Sequence, residues 1–584
     1  MEILLLISLV FAPLAFAAVE PWAYVPLYAV FFIGAARLYA KGGDSHENPL
    51  YKTLIPAVLG VALIGLLQAL RQAPVNGPTP LIFTPWRLST LNAVLLWLFY
   101  GAVMYCASKA IKTPAQLQRL LWTIFAMGVL VTLMGMLQKT GDDTIVYGLR
   151  RVSAHAFGPF VNRDHGAYFL GMAGMAGLGL FFGGFQNVFS HQSRTKLYDV
   201  LAVQFLKLVM IVTIVAGIVK IGSRGAILSF IFATTFMGFV STSFLKTKIK
   251  KKSALLVLAM FLLAYASIIL PKYGRLLCLD EGKLDDSVAM RLSMYKSGWA
   301  MFKDFPAFGI GLGGVEHAFP FYRRQDFVTV DLLKHVHSDW LELFLQVGLV
   351  GGLIYLAGLG VALYGWFRAW LRSVSFSIKA FYGGALGAVL VAISHNFVDF
   401  SSQMPANALT FFTLLGALAS KPAVDGRGLL PHGDEEEHEL NQPPRKLVYA
   451  AFTLATLLTA AAVPQYIAWQ YNRNVRTAGI EEKLKLRAET LKWQPGPLAA
   501  FRLAAEYYNQ ALKDKTAPCR LFSKSNDIAY HYFRQAPLNA GLTLLDRNLR
   551  LQLANCYNRP LTLKPPHKSP PLPKSAPTNN SSRP

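Results

Sequence analysis

LSTLNAVLLWLFYGAVMYCAS, residues 88 to 108, contains no charged side chain. About 20 such residues in a helix cross the roughly 30 Å of a bilayer's hydrocarbon core, so this run reads as a transmembrane helix. KSALLVLAMFLLAYASIIL, residues 252 to 270, reads the same way. Applied along the chain, this criterion gives roughly thirteen spans, starting near residues 3, 22, 52, 88, 115, 164, 202, 225, 253, 340, 378, 405 and 446. The first, MEILLLISLVFAPLAFAA, has no basic leader and is followed at once by another apolar segment, so it reads as a span and not as a cleaved signal peptide. The composition agrees: of 584 residues 53% are hydrophobic and 15% charged, and the mean hydropathy is +0.37, too apolar for a soluble multidomain protein. The fold class is therefore all-α, a polytopic membrane bundle of 12 to 13 helices.

Lys and Arg in the short loops orient the bundle. With KTKIKKK (246 to 252) on the cytoplasmic side, alternation puts the basic segments 108 to 116, 191 to 196 and 367 to 373 inside as well. The N-terminus is then cytoplasmic. Segments 71 to 87, 139 to 163, 271 to 337 and 395 to 407, and the tail from about residue 470, lie outside. The net charge of +25 is spread over loops and tail without a nucleic-acid-binding module. It points to anionic lipid headgroups and a phosphate-bearing substrate instead of nucleic acid.

Three regions follow from this pattern: a membrane domain over 1 to 470, a helical tail over 471 to 558, and a disordered end over 559 to 584. In the tail, small and aromatic residues recur at spacings of three and four, which suits packed helices of tetratricopeptide type. The final segment is rich in Pro, Ser and Lys. The acidic run at 434 to 439 reads as a solvated cytoplasmic linker. Of four cysteines, Cys519 and Cys556 fall in the outer tail, where an oxidising compartment would let them pair, although spacing does not fix that.

Chemistry-bearing residues collect at the outer ends of spans. Arg224 in KIGSRGAIL sits between two spans joined by almost no loop, and Arg291 lies on the amphipathic stretch 287 to 305 of the longest outer segment. Taken alone, each reads as a snorkelling or solvated charge before it reads as a functional one. His337 opens HSDWLELFLQVGLVGG; an imidazole there either takes a proton near neutral pH or merely caps the helix. Ser338 and Asp339 suit a helix start, and His335 and Glu342 are open to either reading.

HSDWLELFLQVGLVGG (337 to 352) resembles the signature of the O-antigen ligase and polysaccharide polymerase superfamily, a His at a helix start with Gly-x-x-Gly, here Gly348 and Gly351, following. RLSMYKSGWAMFKDFPAFGIGLGG (291 to 314) is similar to that family's arginine, Asp-x-Pro and Gly-x-Gly-x-Gly pattern. GSRGA (222 to 226) resembles its earlier arginine motif, GPFVNRDHGAYFL (158 to 170) an outer loop, and HNFVDFSSQMPANALTFF (395 to 412) its Asp-Phe and Pro-Ala-Asn element. The chain departs at Ser338, where Asn is frequent, and at Gln346, where an acidic residue is common.

The resemblance implies a bacterial inner-membrane enzyme that moves a glycan from undecaprenyl pyrophosphate to an acceptor hydroxyl on the periplasmic face, with neither metal nor other cofactor. His337 would be the general base, and Arg224 and Arg291 would meet the pyrophosphate charge. Arg163, His165, Asp339 and Asp399 are candidate substrate contacts, although solvated outer-loop polar residues would look no different in sequence. The acceptor would be lipid A core for a ligase, a second lipid-linked glycan for a polymerase, or a protein hydroxyl. A transporter is the remaining class, but the charges gather at one face and no internal duplication is evident.

Overall fold

The computed structural model describes residues 1–42, 50–75, 77–138, 145–147, 150–151, 155–190, 194–242, 286–323, 333–373, 375–419, 443–475, 479–495, 497–513, 518–533 and 545. The proposed span at 252 to 270, its basic leader 246 to 252, Cys278, the acidic run 434 to 439, Cys556 and the segment 559 to 584 lie outside them.

The protein is an all-α polytopic membrane bundle. In chain order its helices are α1 (Glu2–Leu14), α2 (Pro21–Ala40), α3 (Ile55–Leu70), α4 (Arg87–Ala110), α5 (Pro114–Leu137), α6 (Arg163–Ser190), α7 (Arg194–Ile221) and α8 (Arg224–Thr242). There follow α9 (Asp286–Asp304), α10 (Val315–Tyr322), α11 (Asp339–Arg372), α12 (Phe376–His395), α13 (Pro405–Ala419) and α14 (Arg445–Asn474). A two-stranded ribbon, β1 (Ile145–Val146) and β2 (Arg150–Arg151), interrupts the series. Ten described helices are long and apolar enough to cross a membrane; α1 and α13 are apolar but shorter.

Local chemistry sets several helix starts. Pro114 takes the first position of α5, where a missing N–H costs nothing. Thr113 caps it, accepting from the Gln116 amide at 3.2 Å, while the Gln116 side chain accepts from the Thr113 amide at 3.0 Å. Packing between spans relies on small residues, which let backbones approach closely where lipid offers no hydrophobic contrast. A Cβ on Gly179 of α6 would stand 2.8 Å from the Gly384 Cα of α12. The α6 span is 83% buried, placing it at the centre of the bundle. Large apolar side chains such as Leu63, Phe205, Leu228 and Tyr364 are exposed on the outside, as a lipid-facing surface requires.

α11 is the element on which the end of the bundle holding the candidate histidine is built. Its 34 residues make about 51 Å at 1.5 Å per residue, and it kinks at Gly348, where φ is +63° and ψ −167°. The kink frees the carbonyls of Leu345 and Gln346 and the amides of Leu349 and Val350. All four find partners in the loop after α9: Ile310 N donates to Leu345 O (2.8 Å), Gly311 N to Gln346 O (3.0 Å), Leu349 N to Pro306 O (2.8 Å) and Val350 N to Ala307 O (3.1 Å). Gly309, Gly311 and Gly313 take φ of +71°, +100° and +65°, so the Gly-x-Gly-x-Gly run is the backbone path that makes this exchange sterically allowed. Gln68 of α3 locks it, donating to Phe308 O at 2.7 Å and Gln346 O at 2.9 Å and accepting from Leu312 N at 3.0 Å.

The chain divides into two compact units, one of residues 1–474 with 492–495 and one of 475–491 with 496–584. The second holds most of α15 (Ile480–Trp493), and its α16 (Pro497–Lys513) and α17 (Pro518–Phe533) form a pair. Ala504 and Ala511 of α16 pack with Phe522 and Ala529 of α17, and the Ser525 hydroxyl donates to Ala504 O at 2.6 Å.

Candidate active site

The starts of α6, α8 and α11, the end of α12 and the connection 396–404 converge at one end of the bundle. Ser338 caps α11, accepting from Leu341 N at 3.3 Å. To enter that cap the preceding residue, His337, adopts φ +53°, a left-handed conformation uncommon for a side chain of this size. The Tyr295 hydroxyl of α9 holds it there, donating to His337 O at 2.9 Å.

Asp399 lies beneath the His337 ring. His337 Nδ1 is 3.4 Å from Asp399 Oδ1, and His165 Nε2 approaches Oδ2 at 3.8 Å. Both are ion-pair distances at which the rings are not aligned for hydrogen bonding. The Ser401 hydroxyl donates to Oδ2. Burial by itself would raise the Asp399 pKa, but the rings of His165, His337 and His395 together with Ser401 hold it well below the usual carboxylate range. Asp399 is 2% exposed whereas the His337 side chain is 24% exposed, so the imidazole faces the opening and the carboxylate backs it.

Phe400, the next residue, organises three imidazoles. Its ring stacks on His335 at 4.3 Å and meets His337 and His165 edge-on at 5.0 and 4.8 Å. His335 Nδ1 pairs with Glu342 Oε1 at 2.9 Å. Glu342, 1% exposed, also accepts from Val336 N at 3.2 Å and Gln346 Nε2 at 2.8 Å. Burial would lower the His335 pKa, and the Glu342 carboxylate, by charge and by hydrogen bond, more than reverses that. Asp339, at the start of α11, accepts from Ser402 N (3.0 Å), Ser402 Oγ (2.5 Å) and Gln403 Nε2 (3.0 Å), and its own amide donates to Asp399 O at 3.0 Å. It ties α11 to the 396–404 connection.

The arginines approach from other helices. Arg291 of α9 lies 3.8 Å from Asp164 in the first turn of α6, with its side chain 27% exposed. Arg224 is the first residue of α8, directly after the tight turn at Gly222 (φ +76°). Its neighbour Gly225 packs on α12, where an added Cβ would stand 3.2 Å from His395 Nε2. Arg163 starts α6 with an exposed side chain.

The geometry thus gathers His337, His165, Asp399 and Asp339 in one contact network. It adds residues that sequence reading did not single out: Phe400, Ser401, Ser402, Gln403 and Tyr295. Phe400 to Gln403 lie in a quoted motif, and a run of such polar residues between two spans is the signal that could have marked them. Gln346 donates to Glu342 and accepts from Gly313 N at 3.1 Å, so an amide meets both a carboxylate and a donor where an acid would meet only the donor.

A family model described as "O-Antigen ligase" matches residues 209–356, a segment that holds Arg224, Arg291, His335 and His337. This segment is an O-antigen ligase family domain. It marks the protein as a membrane glycosyltransferase of the ligase or polymerase type. No curated protein matches the chain. Among solved structures, it is similar to a chain of "Structural coordination of polymerization and crosslinking by a peptidoglycan synthase complex" at 15% identity, covering 64% of this chain and 96% of that one with a TM-score of 0.29. His165, Asp399 and Phe400 lie outside the family-matched residues and join its histidines only through the tertiary fold.

Proposed function

We propose that the O-antigen ligase family domain transfers a glycan from a lipid pyrophosphate, of the undecaprenyl type, to an acceptor hydroxyl at the periplasmic face. The observation that carries this reading is the His337–Asp399 arrangement. Nδ1 faces a buried carboxylate at 3.4 Å, which favours the tautomer with the proton on Nδ1 and leaves the Nε2 lone pair for a substrate. The left-handed backbone at His337 adds support, because strain of this kind gathers at functional sites.

In this mechanism Nε2 accepts the acceptor's hydroxyl proton as its oxygen bonds to the anomeric carbon. The bond from that carbon to the pyrophosphate oxygen breaks, and the electron pair leaves with the pyrophosphate. Arg291 and Arg224 meet the developing charge; Arg291 is loosely paired with Asp164 and has donors to spare. Attack opposite the leaving group inverts the anomeric configuration. Asp399 holds the ring and balances its positive charge until the proton passes to solvent. His165 and Asp339 position this pair, and Arg163, exposed at the start of α6, contacts the glycan.

The test is transfer by the reconstituted protein, with EDTA present, from synthetic undecaprenyl-pyrophosphate glycan to lipid A core or to a second lipid-linked glycan. Transfer that disappears in His337→Ala supports the mechanism, and the acceptor consumed separates ligase from polymerase. Full activity in His337→Ala refutes it.

A further inference from the structure

A cavity of about 160 Å³ opens beside the site and is separate from the arginines. Trp97 and Tyr100 of α4 and Trp340 and Tyr355 of α11 supply its aromatic lining, and Asp339 and Glu342 bring carboxylates to it. The aromatic part is well ordered by its own contacts: Trp97 meets Tyr355 edge-on at 5.2 Å, and the Tyr100 ring stacks on Phe412 at 4.1 Å. His335 also lines the cavity, and its ring stacks on Phe400, which also meets His337 edge-on. The cavity and the His337–Asp399 pair are thus linked through His335 and the Phe400 ring.

From this juxtaposition we infer that the cavity is a sugar subsite for the acceptor, selective for an uncharged or amino-bearing pyranose over a phosphorylated or uronic one. This rests on the proposed transfer reaction. The volume holds about five waters at roughly 30 Å³ each, the scale of one sugar ring and not of a polyprenyl chain. Pyranose C–H faces suit aromatic walls, and pyranose hydroxyls donate to carboxylates. Asp339 and Glu342 act as acceptors toward every partner they have here, so an added hydroxyl donor extends their pattern. A phosphate or carboxylate on the sugar would instead face the carboxylates of Glu316, Asp339 and Glu342 in a partly enclosed space, which selects against it. Lys334 and His335, the latter paired with Glu342, are the basic groups at the lining, fewer than its three carboxylates. Pyrophosphate is directed by the same argument to Arg291 and Arg224, neither of which lines the cavity.

The experiment uses the full chain in lipid nanodiscs. Saturation-transfer NMR is recorded with methyl β-glucopyranoside, methyl glucosaminide, methyl β-glucuronide and glucose 6-phosphate. Leu96→Trp fills the cavity from α4, and Trp97→Ala removes one wall; neither residue touches the His337–Asp399 pair. The first two sugars should bind at least about tenfold more tightly than the two anionic ones, and both variants should lose that binding. In transfer assays Leu96→Trp should raise the acceptor KM while hydrolysis of the lipid-linked donor by water is unchanged. Equal binding of anionic sugars overturns the inference, as does wild-type binding in a Leu96→Trp protein that unfolds at the wild-type temperature. If Leu96→Trp does not fold, wild-type binding in Trp97→Ala overturns it. Selective sugar binding without any transfer would retire the transfer mechanism and leave this sugar site standing.

Discussion

Gly348→Ala tests the kink on which the candidate-site end of the bundle depends. A Cβ at this position would lie 2.2 Å from Ala307 O, 2.3 Å from Ala307 C and 2.5 Å from Phe308 N. All three are backbone atoms, so no side chain can swing aside. The dihedral pair is one that essentially only glycine adopts, worth about 1–3 kcal/mol. Relief requires the 306–308 backbone to retreat, which stretches the bonds from Leu349 and Val350 to Pro306 and Ala307, each worth about 0.5–1.5 kcal/mol. The sum is a destabilisation of about 2–6 kcal/mol. Gly360, in the same helix, is the control: nothing lies within 4 Å of its added Cβ, and Ala there should be neutral or gain about 0.5–1 kcal/mol. Thermal unfolding in nanodiscs should separate the two variants clearly. Equal midpoints would refute the account of α11 as a helix spliced to the Gly-x-Gly-x-Gly loop.

Asp399→Asn should lower kcat by about 10²–10⁴-fold with the donor KM little changed, because it removes the group that fixes the His337 tautomer and leaves the arginines alone; a raised donor KM at normal kcat would contradict that division. Arg291→Lys keeps the charge but not the planar fork, so kcat should fall and the donor KM rise, and wild-type kinetics would remove Arg291 from the pyrophosphate. Glu342→Gln turns an acceptor into a donor against Gln346, Val336 and His335, a loss of about 1–3 kcal/mol measured by denaturation. The same pair gives a pH signature. The His335 pKa is raised in the folded protein, so its contribution to stability is complete below the unfolded value near 6.5 and is lost as pH rises through the folded value. Wild-type unfolding temperature should therefore fall on this flank, and Glu342→Gln should flatten the dependence; identical slopes would disprove the coupling.

Membrane spans were legible from local sequence because crossing a bilayer imposes a length and an apolarity on each helix separately. Twelve of the thirteen expected spans begin in described residues and are helices, although α1 and α13 are short. Helix starts at Thr113 and Ser338 were likewise local, since a cap reaches only a few residues along the chain. The candidate histidine and the two arginines, each of which alone also read as a capping, snorkelling or solvated group, stood out through the resemblance of their motifs to the O-antigen ligase signature.

What tertiary structure alone decided is which of these residues touch. Asp399 meets His337 and His165 across 62 and 234 positions of sequence, as the numbering gives by difference (399 − 337 and 399 − 165), and no periodicity encodes that approach. Gln68 closing the loop at residues 308 to 312, and a cavity with α4 on one side and α11 on the other, depend equally on how whole helices pack. The sequence by itself determined a bundle and its chemistry-bearing ends. The folded chain determined the pairings, because side-chain contacts between spans are set by helix crossing and rotation, which only the close approach of small residues such as Gly179 and Gly384 fixes.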